Sequence, residues 1–301
     1  MISTLPVPSV ELAMRVGCIE GTRQQRLEHY DGVGAILKQA IAASLPADWS
    51  WADRKSLDFG CGAGRVLRHF GPEAHQGEIW GCDIDGPSIA WVKERLCPPF
   101  QAFLVSDQPG LPHADGYFDL VWALSVFTHL TDQWAGWLLE LHRVLAPGGY
   151  LIATFMGADM SAESGIEEWD EDRVGMLVTG AGRPWSEGGP RVSHSEWWLR
   201  AHWGRAFEIV KLELSQGQPG SHSLIVMRAR PVRLTVDELE LPEAGDPREF
   251  AAMRANLAAL TDENRDLRDR AARSEAKLRR RWKSRLRASA KRYAGRRSGP
   301  R

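Results

Sequence analysis

The chain has 301 residues, 43% of them hydrophobic and 26% charged, a balance that supplies a sizeable core and excludes disorder along its whole length. No apolar run approaches the roughly 18 residues of a membrane helix, and the opening MISTLPVPSV has no basic stretch leading into an apolar one, so a soluble intracellular protein is expected. The net charge of -1 hides a division, because residues 271–301 carry 13 Lys or Arg against one Glu, a basic tail on an acidic body.

Pro6 and Pro8 mark an irregular start. A short helix is expected over 10–16, and Gly32 and Gly34 delay the more convincing helix to 35–44, where Ile36, Leu37, Ala40 and Ile41 share one face before Pro46 ends it. Residues 1–50 read as an N-terminal helical extension or cap. From 51 to 230 the pattern alternates between short apolar runs, at 56–59, 79–82, 102–105, 118–123 and 150–155, and helix candidates at 65–70, 87–96 and 132–144. The intervals suit crossover helices between parallel strands, which predicts a doubly wound α/β domain.

After Phe155 the alternation breaks into a Gly-rich, acidic and aromatic stretch, 157–192, read as a lid insertion. Ser193 and Glu196 have the spacing of a helix-starting capping box ahead of Trp197, Trp198 and His202. Two further strand candidates, 206–214 and 221–227, flank a turn-rich SQGQPG and predict a closing hairpin. The expected sheet is seven-stranded and mostly parallel, with an antiparallel final strand. A linker at 231–249 precedes a helical arm and basic tail at 250–301. In the arm Phe250, Met253, Leu257, Leu260, Asn264, Leu267, Ala271, Ser274 and Leu278 fall at alternating intervals of three and four, a candidate coiled-coil seam that weakens after Leu267, the alternatives being a helix packed against its own domain or a solvated arm.

The strongest chemical signal is LDFGCGAGR at 57–65, a strand running into three alternate glycines. Missing β-carbons let the chain turn tightly and let a ligand approach the backbone. A dinucleotide-type GxGxxG fails in both frames, since Arg65 and Leu67 stand where its last glycine belongs. Cys18, Cys61, Cys82 and Cys97 form no CxxC pair, which argues against a cysteine zinc site or a disulfide scaffold.

With IWGCD at 79–83, SDQPGLPHADGYFDLVWALSVFTHL at 106–130 and LHRVLAPGGYLIATF at 141–155, the glycine segment strongly resembles the class I S-adenosylmethionine-dependent methyltransferases across most of 50–230. The resemblance implies S-adenosylmethionine as cofactor and a site made of named residues. Asp58, Gly60, Gly62 and Gly64 would surround the methionine part and sugar, and Asp83 would accept both ribose hydroxyls, leaving Asp85 to cap the next helix. Ile84 would lie on the adenine face, Asp107 would accept from the adenine amino group beside Gln108, and Leu124 and Ser125 would line the methionine end.

Methyl transfer from a sulfonium is an in-line displacement that needs positioning, a base for a hydroxyl or protonated amine, and no metal. His129 in SVFTHL follows the fourth strand and is the candidate catalytic base, with local hydrogen bonding or packing as its alternative role. His194 and Glu196 are candidates for the same opening, though helix capping explains Glu196 more economically, and Tyr30 with His29 is a candidate to close it from the N-terminal side, a contact that position alone does not establish. The acids Glu163, Glu167, Glu168, Asp170, Glu171 and Asp172 read as the wet face of a lid or as attraction for a cationic substrate, with Trp169 and Trp185 packing the lid or stacking on rings.

The PVPSVELAMRVG extension resembles those of bacterial enzymes of glycan and specialised-metabolite pathways, and ALSVF stands where amino-methyltransferases of DNA carry DPPY-like segments. Transfer to oxygen of a small-molecule or glycan acceptor is therefore favoured over nitrogen, the alternatives being an N-methyltransferase or a non-catalytic S-adenosylmethionine-binding module. Candidate partners are a second copy of the chain through 250–267 and an anionic membrane surface through the basic tail, where Leu278, Trp282, Leu286 and Tyr293 share a side, with a simply solvated tail as the leading alternative. Nucleic acid is the weaker candidate, since charge alone attracts phosphate without reading bases. The expected location is cytoplasmic, including the inner membrane surface.

Overall fold

The computed structural model describes residues 5–16, 20–161, 166, 168–183, 188–215 and 222–296, so expectations placed on Cys18, Glu163, Glu167, Trp185 and the turn at 216–221 lie outside it, as do those on the side chains of Leu286 and Tyr293. Ser9 caps the short helix α1 (Val10–Ala13), its Oγ accepting from Leu12 N at 3.4 Å, and a 3-10 turn, Met14–Val16, follows. Helix α2 (Arg23–Ser44) begins well before the glycines that the sequence suggested would delay it. A reciprocal capping box starts it, with Thr22 N donating to Gln25 Oε1 (2.9 Å) and Gln25 N to Thr22 Oγ1 (3.3 Å). Gly32 and Gly34 sit inside this helix. A β-carbon on Gly32 would meet nothing within 4 Å, whereas one on Gly34 would lie 2.1 Å from the Arg65 carbonyl oxygen, so the second glycine is where α2 presses its backbone against the main domain.

The main sheet contains β1 (Lys55–Phe59), β2 (Glu78–Asp83), β3 (Gln101–Leu104), β4 (Phe118–Ala123) and β5 (Leu145–Phe155), which pair in parallel. Between β1 and β2 the expected helix is a 3-10 turn, Leu67–Phe70, followed by one helical turn, α3 (Gly71–Ala74). Helices α4 (Gly86–Arg95) and α5 (Trp134–Val144) make the later crossovers. The insertion adds a separate two-stranded ladder, β6 (Met176–Thr179) with β7 (Arg191–His194), before α6 (Glu196–Ala206). Strands β8 (Phe207–Glu213) and β9 (Ser223–Ala229) form the closing hairpin, and β9 lies antiparallel between β5 and β8. The strand order is β3-β2-β1-β4-β5-β9-β8, the seven-stranded, mostly parallel arrangement expected.

Alternation along the central strands divides the core into two layers. Leu120, Trp122, Ile152 and Val226 pack with Ile41 of α2 and Val92 of α4, while Val121, Ala123, Leu151 and Met227 pack with Leu138 and Leu141 of α5 and Leu199 and Trp203 of α6. Both faces are covered, which is why β4 reads as a continuous apolar run.

Ser193 does not cap α6. It lies in β7, and the helix starts after Ser195, whose side chain makes no capping bond. Glu171 takes that place: its Oε1 accepts from Glu196 N at 3.2 Å, and its carbonyl accepts from Trp197 Nε1 at 2.8 Å. A carboxylate at a helix N-terminus satisfies an open N–H and complements the helix dipole.

Residues 231–249 contain α7 (Val236–Glu240), with Leu239 fully buried in the core of the α5–α6 layer. The first turn of α8 (Pro247–Arg296) also belongs there, because Ala252 is buried and His202 of α6 stands between Leu239 O (3.0 Å from Nδ1) and Glu249 Oε1 (2.9 Å from Nε2). The chain divides into two compact units, Met1–Asn256 and Leu257–Arg301.

Candidate functional site

Parallel strands deliver the residues that follow them to one edge of the sheet, where ligands of open α/β sheets bind. At the end of β1, Gly60 N and Cys61 N both donate to Cys82 O (2.8 and 2.9 Å), stitching the glycine turn to β2. Gly60, Gly62 and Gly64 have φ of +82°, +53° and +74°, left-handed values that strain any β-carbon. A β-carbon on Gly60 would also lie 2.4 Å from Val126 Cγ2, and one on Gly64 2.6 Å from Leu96 Cδ1.

Asp83 closes β2 with both oxygens fixed, Oδ2 accepting from Gly62 N (2.7 Å) and Oδ1 from Asp85 N (2.8 Å). Each carboxylate oxygen has a second lone pair to offer a hydroxyl, and burial raises the Asp83 pKa above the usual carboxylate range. Ile84 beside it is 55% exposed, an apolar surface held open at this edge. Asp107 and Gln108 are exposed on the turn after β3, where Gln108 N donates to Ser106 Oγ at 3.3 Å. Leu124 is buried and Ser125 half-buried after β4. A cradle that excludes β-carbons, a pinned carboxylate and an open apolar side chain together fit a nucleoside-type cofactor such as S-adenosylmethionine.

Asp85 is engaged elsewhere. Its Oδ2 accepts from Ser88 N (3.0 Å) as the N-cap of α4, and its Oδ1 pairs with Arg15. Asp83→Ala is therefore expected to raise the S-adenosylmethionine dissociation constant by on the order of 10²- to 10⁴-fold, from loss of two charge-assisted bonds of about 1.5–3 kcal/mol each. Asp85→Ala should cost about 1 kcal/mol of stability as a lost cap and leave affinity largely intact. Titration calorimetry on the two folded variants checks this, and a larger affinity loss for Asp85→Ala would move the ribose assignment.

Beneath the turn lies a buried group that the sequence did not assemble. Tyr30 of α2 is buried, and its hydroxyl donates to Ala63 O at 3.1 Å, so it seats on the glycine turn, while neighbouring His29 is exposed. Burial pushes the Tyr30 pKa up and that of Arg65 down, with Tyr30 and Asp58 partly restoring the arginine's charge. Asp58 is buried too, which raises its pKa to about 7. That value already includes the upward push of the nearby Asp83 and the opposing pull of Trp122 and Arg65.

His129 follows the turn after β4. Its Nδ1 stands 2.7 Å from Pro190 O, and since a carbonyl only accepts, Nδ1 carries the proton. Burial lowers its pKa, and the Pro190 bond offsets part of that. His222, which the sequence reading missed, places Nδ1 3.1 Å from Ser125 Oγ. Burial above all, with the nearness of His129 and Arg65 and against the pull of Asp159, lowers the His222 pKa to about 4. Ser125 is held for this contact by a φ of +58° and by its N–H, which donates to Thr154 Oγ1 at 2.7 Å. The available signal was topological, because a hairpin whose first strand runs parallel to the sheet must turn back at the ligand edge.

The other candidates are engaged in structure. His194 is fully buried between Trp198 and Trp203, with burial bringing its pKa to about 3, so it does not face the opening. Glu196 pairs with Arg200 on the surface of α6. Among the described acids of the insertion, Glu171 caps α6 and receives the Trp169 indole N–H at 2.7 Å, and Asp170 accepts from Asp172 N at 3.0 Å. Among the described residues no group of three or more His, Cys, Asp or Glu is placed to hold a metal ion, and no helix is long and apolar enough to cross a membrane.

Residues 57–153 match the family model described as a methyltransferase domain. The chain is 30% identical over 122 residues to phthiotriol/phenolphthiotriol dimycocerosates methyltransferase 1 of Mycobacterium ulcerans, covering 40% of this chain and 43% of that protein. It is 30% identical over 130 residues to the chloroplastic tocopherol O-methyltransferase of Arabidopsis thaliana, covering 40% of this chain and 35% of the other. The chain thus spans less than half the length of either relative. Among solved structures, an S-adenosylmethionine-dependent methyltransferase from Mesorhizobium loti matches with a TM-score of 0.50 at 17% identity, over 66% of this chain and 99% of that one. A methyltransferase-type structure from Listeria monocytogenes matches with a TM-score of 0.50 at 13% identity over the same shares.

Proposed function

The chain carries a class I S-adenosylmethionine-dependent methyltransferase domain, with S-adenosylmethionine as its cofactor, and we propose that it methylates a hydroxyl oxygen of a small-molecule or glycan acceptor. When bound, the cofactor supplies a methyl group on a positively charged sulfur. Gly60, Gly62 and Gly64 admit it to the backbone, Asp83 orients its sugar, and Ile84, Asp107 and Gln108 receive its base.

The observation that carries transfer to oxygen is the group Ser125, His129 and His222 at the methionine end. Burial keeps both imidazoles neutral, so this corner can take up a hydroxyl proton, and the positive charge of Arg65 favours the negative charge that develops on an oxygen nucleophile. His129 is the proposed base. Its lowered pKa makes it a weaker base than a free imidazole but keeps it in the accepting form at neutral pH.

His129→Ala is expected to lower the single-turnover methyl-transfer rate at least ~10²-fold while cofactor affinity stays largely intact. Unchanged rates would remove His129 from the chemistry. The acceptor is found by incubating the protein with isotopically labelled S-adenosylmethionine and cell-extract acceptors, then locating the label by mass and fragmentation. Label on oxygen supports the proposal, and label on nitrogen makes the chain an N-methyltransferase. Cofactor binding without product across the extract makes it a binding module. The relatives' names, one a tocopherol O-methyltransferase, agree with a small organic acceptor. The charge after residue 271 favours an acceptor met at an anionic membrane, a reading that fails if co-sedimentation with anionic vesicles does not weaken as salt rises. Self-association is assigned to the helical arm.

A further inference from the structure

Past Asn256, α8 keeps an apolar seam in water: Leu257 is 65% exposed, Leu267 41% and Leu278 57%. With Leu257 as heptad position a, the a and d sites are Leu257, Leu260, Asn264, Leu267, Ala271, Ser274 and Leu278. Such a stripe on a helix this long calls for a facing helix, and the flanking charges say which one. Positions g are Glu263, Arg270 and Lys277, and positions e are Thr261, Arg268 and Glu275; the complete g–e pairs of charged residues within the segment are Glu263 with Arg268 and Arg270 with Glu275. In a parallel, in-register pair each g residue meets the e residue five places on in the other chain. Glu263 then meets Arg268, Arg270 meets Glu275, and the two-fold repeats both contacts, so all four of these meetings join opposite charges.

The polar seam position selects the same arrangement. In register, Asn264 faces the Asn264 of a second copy, and an amide both donates and accepts, so the two satisfy each other. In an antiparallel pair position a faces d, and Asn264 would be set against a leucine or other d residue with no amide to answer it. On the outer side Asp262 and Arg265, at f and b, bond each other within the helix at 2.8 Å, leaving the seam to the partner. We propose that the segment from Leu257 to Leu278 pairs with the same segment of a second copy as a parallel, in-register, two-stranded coiled coil. This deepens the self-association assigned to the arm and is independent of the acceptor's identity.

The test uses the full chain. Light scattering and sedimentation equilibrium should give twice the 33.6 kDa chain mass, and Leu257→Asp combined with Leu267→Asp should halve it. Both side chains are exposed, so thermal unfolding of the Met1–Asn256 unit should not move. Register is tested by charge reversal. Glu263→Arg with Glu275→Arg, and separately Arg268→Glu with Arg270→Glu, should each weaken the dimer, and mixing the two variants should restore it as a heterodimer. Under mild oxidation Asn264→Cys should give a disulfide-linked dimer that the unaltered chain, run alongside, does not. A monomeric mass, or a dimer that survives the aspartates, would overturn the pairing. A dimer that neither crosslinks through position 264 nor forms on mixing would overturn its parallel register.

Discussion

Gly34→Ala is expected to destabilise the Met1–Asn256 unit by about 3 kcal/mol or more, while Gly32→Ala two positions earlier in the same helix should stabilise it by up to ~1 kcal/mol. Intrinsic helix propensity favours alanine over glycine by about 1 kcal/mol at either site. The difference is tertiary. At Gly34 the new methyl would lie 2.1 Å from the Arg65 carbonyl oxygen and 2.8 Å from His69 Nε2, and at Gly32 it would meet nothing. A backbone carbonyl cannot rotate away as a side chain can, so α2 must lift. Since Tyr30 of α2 bonds Ala63 O within the glycine turn, S-adenosylmethionine affinity should fall with stability. Chemical denaturation and cofactor titration of both variants provide the check, and the same sign for both substitutions would contradict the seating of α2.

The second large effect is a pH dependence. Asp58 has a folded-state pKa of about 7 because burial disfavours its charged form, against 3.8 for an aspartate in water. Between these values the folded protein holds a proton that the unfolded chain has released, so this group's contribution to stability falls as pH rises through that window and stays low above it. From pH 5 to 8 the loss is on the order of 2–3 kcal/mol. Asp58→Asn removes the ionisation, so the variant should gain on the parent by that amount over this range. The comparison is made as a difference between the two proteins. His194 and His222, held neutral by burial, weaken both alike in acid. A pH-independent difference in unfolding free energy would show that Asp58 does not titrate in this window.

Much of the fold was legible because it is written locally. The apolar runs of β1, β2 and β4, the three glycines and Asp83 lie in short segments whose conformation and position at the strand ends follow from their own sequence. What escaped depends on partners distant in the chain. Gly32 and Gly34 are the same residue to any local rule, and only the approach of Arg65 separates them. Ser193 and Glu196 have capping-box spacing, yet pairing of Met176–Thr179 with Arg191–His194 draws Ser193 into a strand, and Glu171 supplies the cap from 25 residues upstream. His222 follows a turn-rich stretch without chemical character of its own and acquires a role only when β9 pairs with β5. Leu239 and Ala252 look like parts of a linker and an arm until the α5–α6 layer closes over them.

The cap from Glu171 bears on how far the stretch between β5 and β7 can be exchanged. Because its carboxylate finishes α6 and its carbonyl holds Trp197, the stretch is a structural end-piece of the main unit. A graft from another protein in its place would remove the anion at the helix start. Swaps should keep the helix whole only if they retain a carboxylate at this point, the Val174 carbonyl that also receives Trp197 and the β6–β7 ladder, and they must keep the Pro190 carbonyl that holds His129.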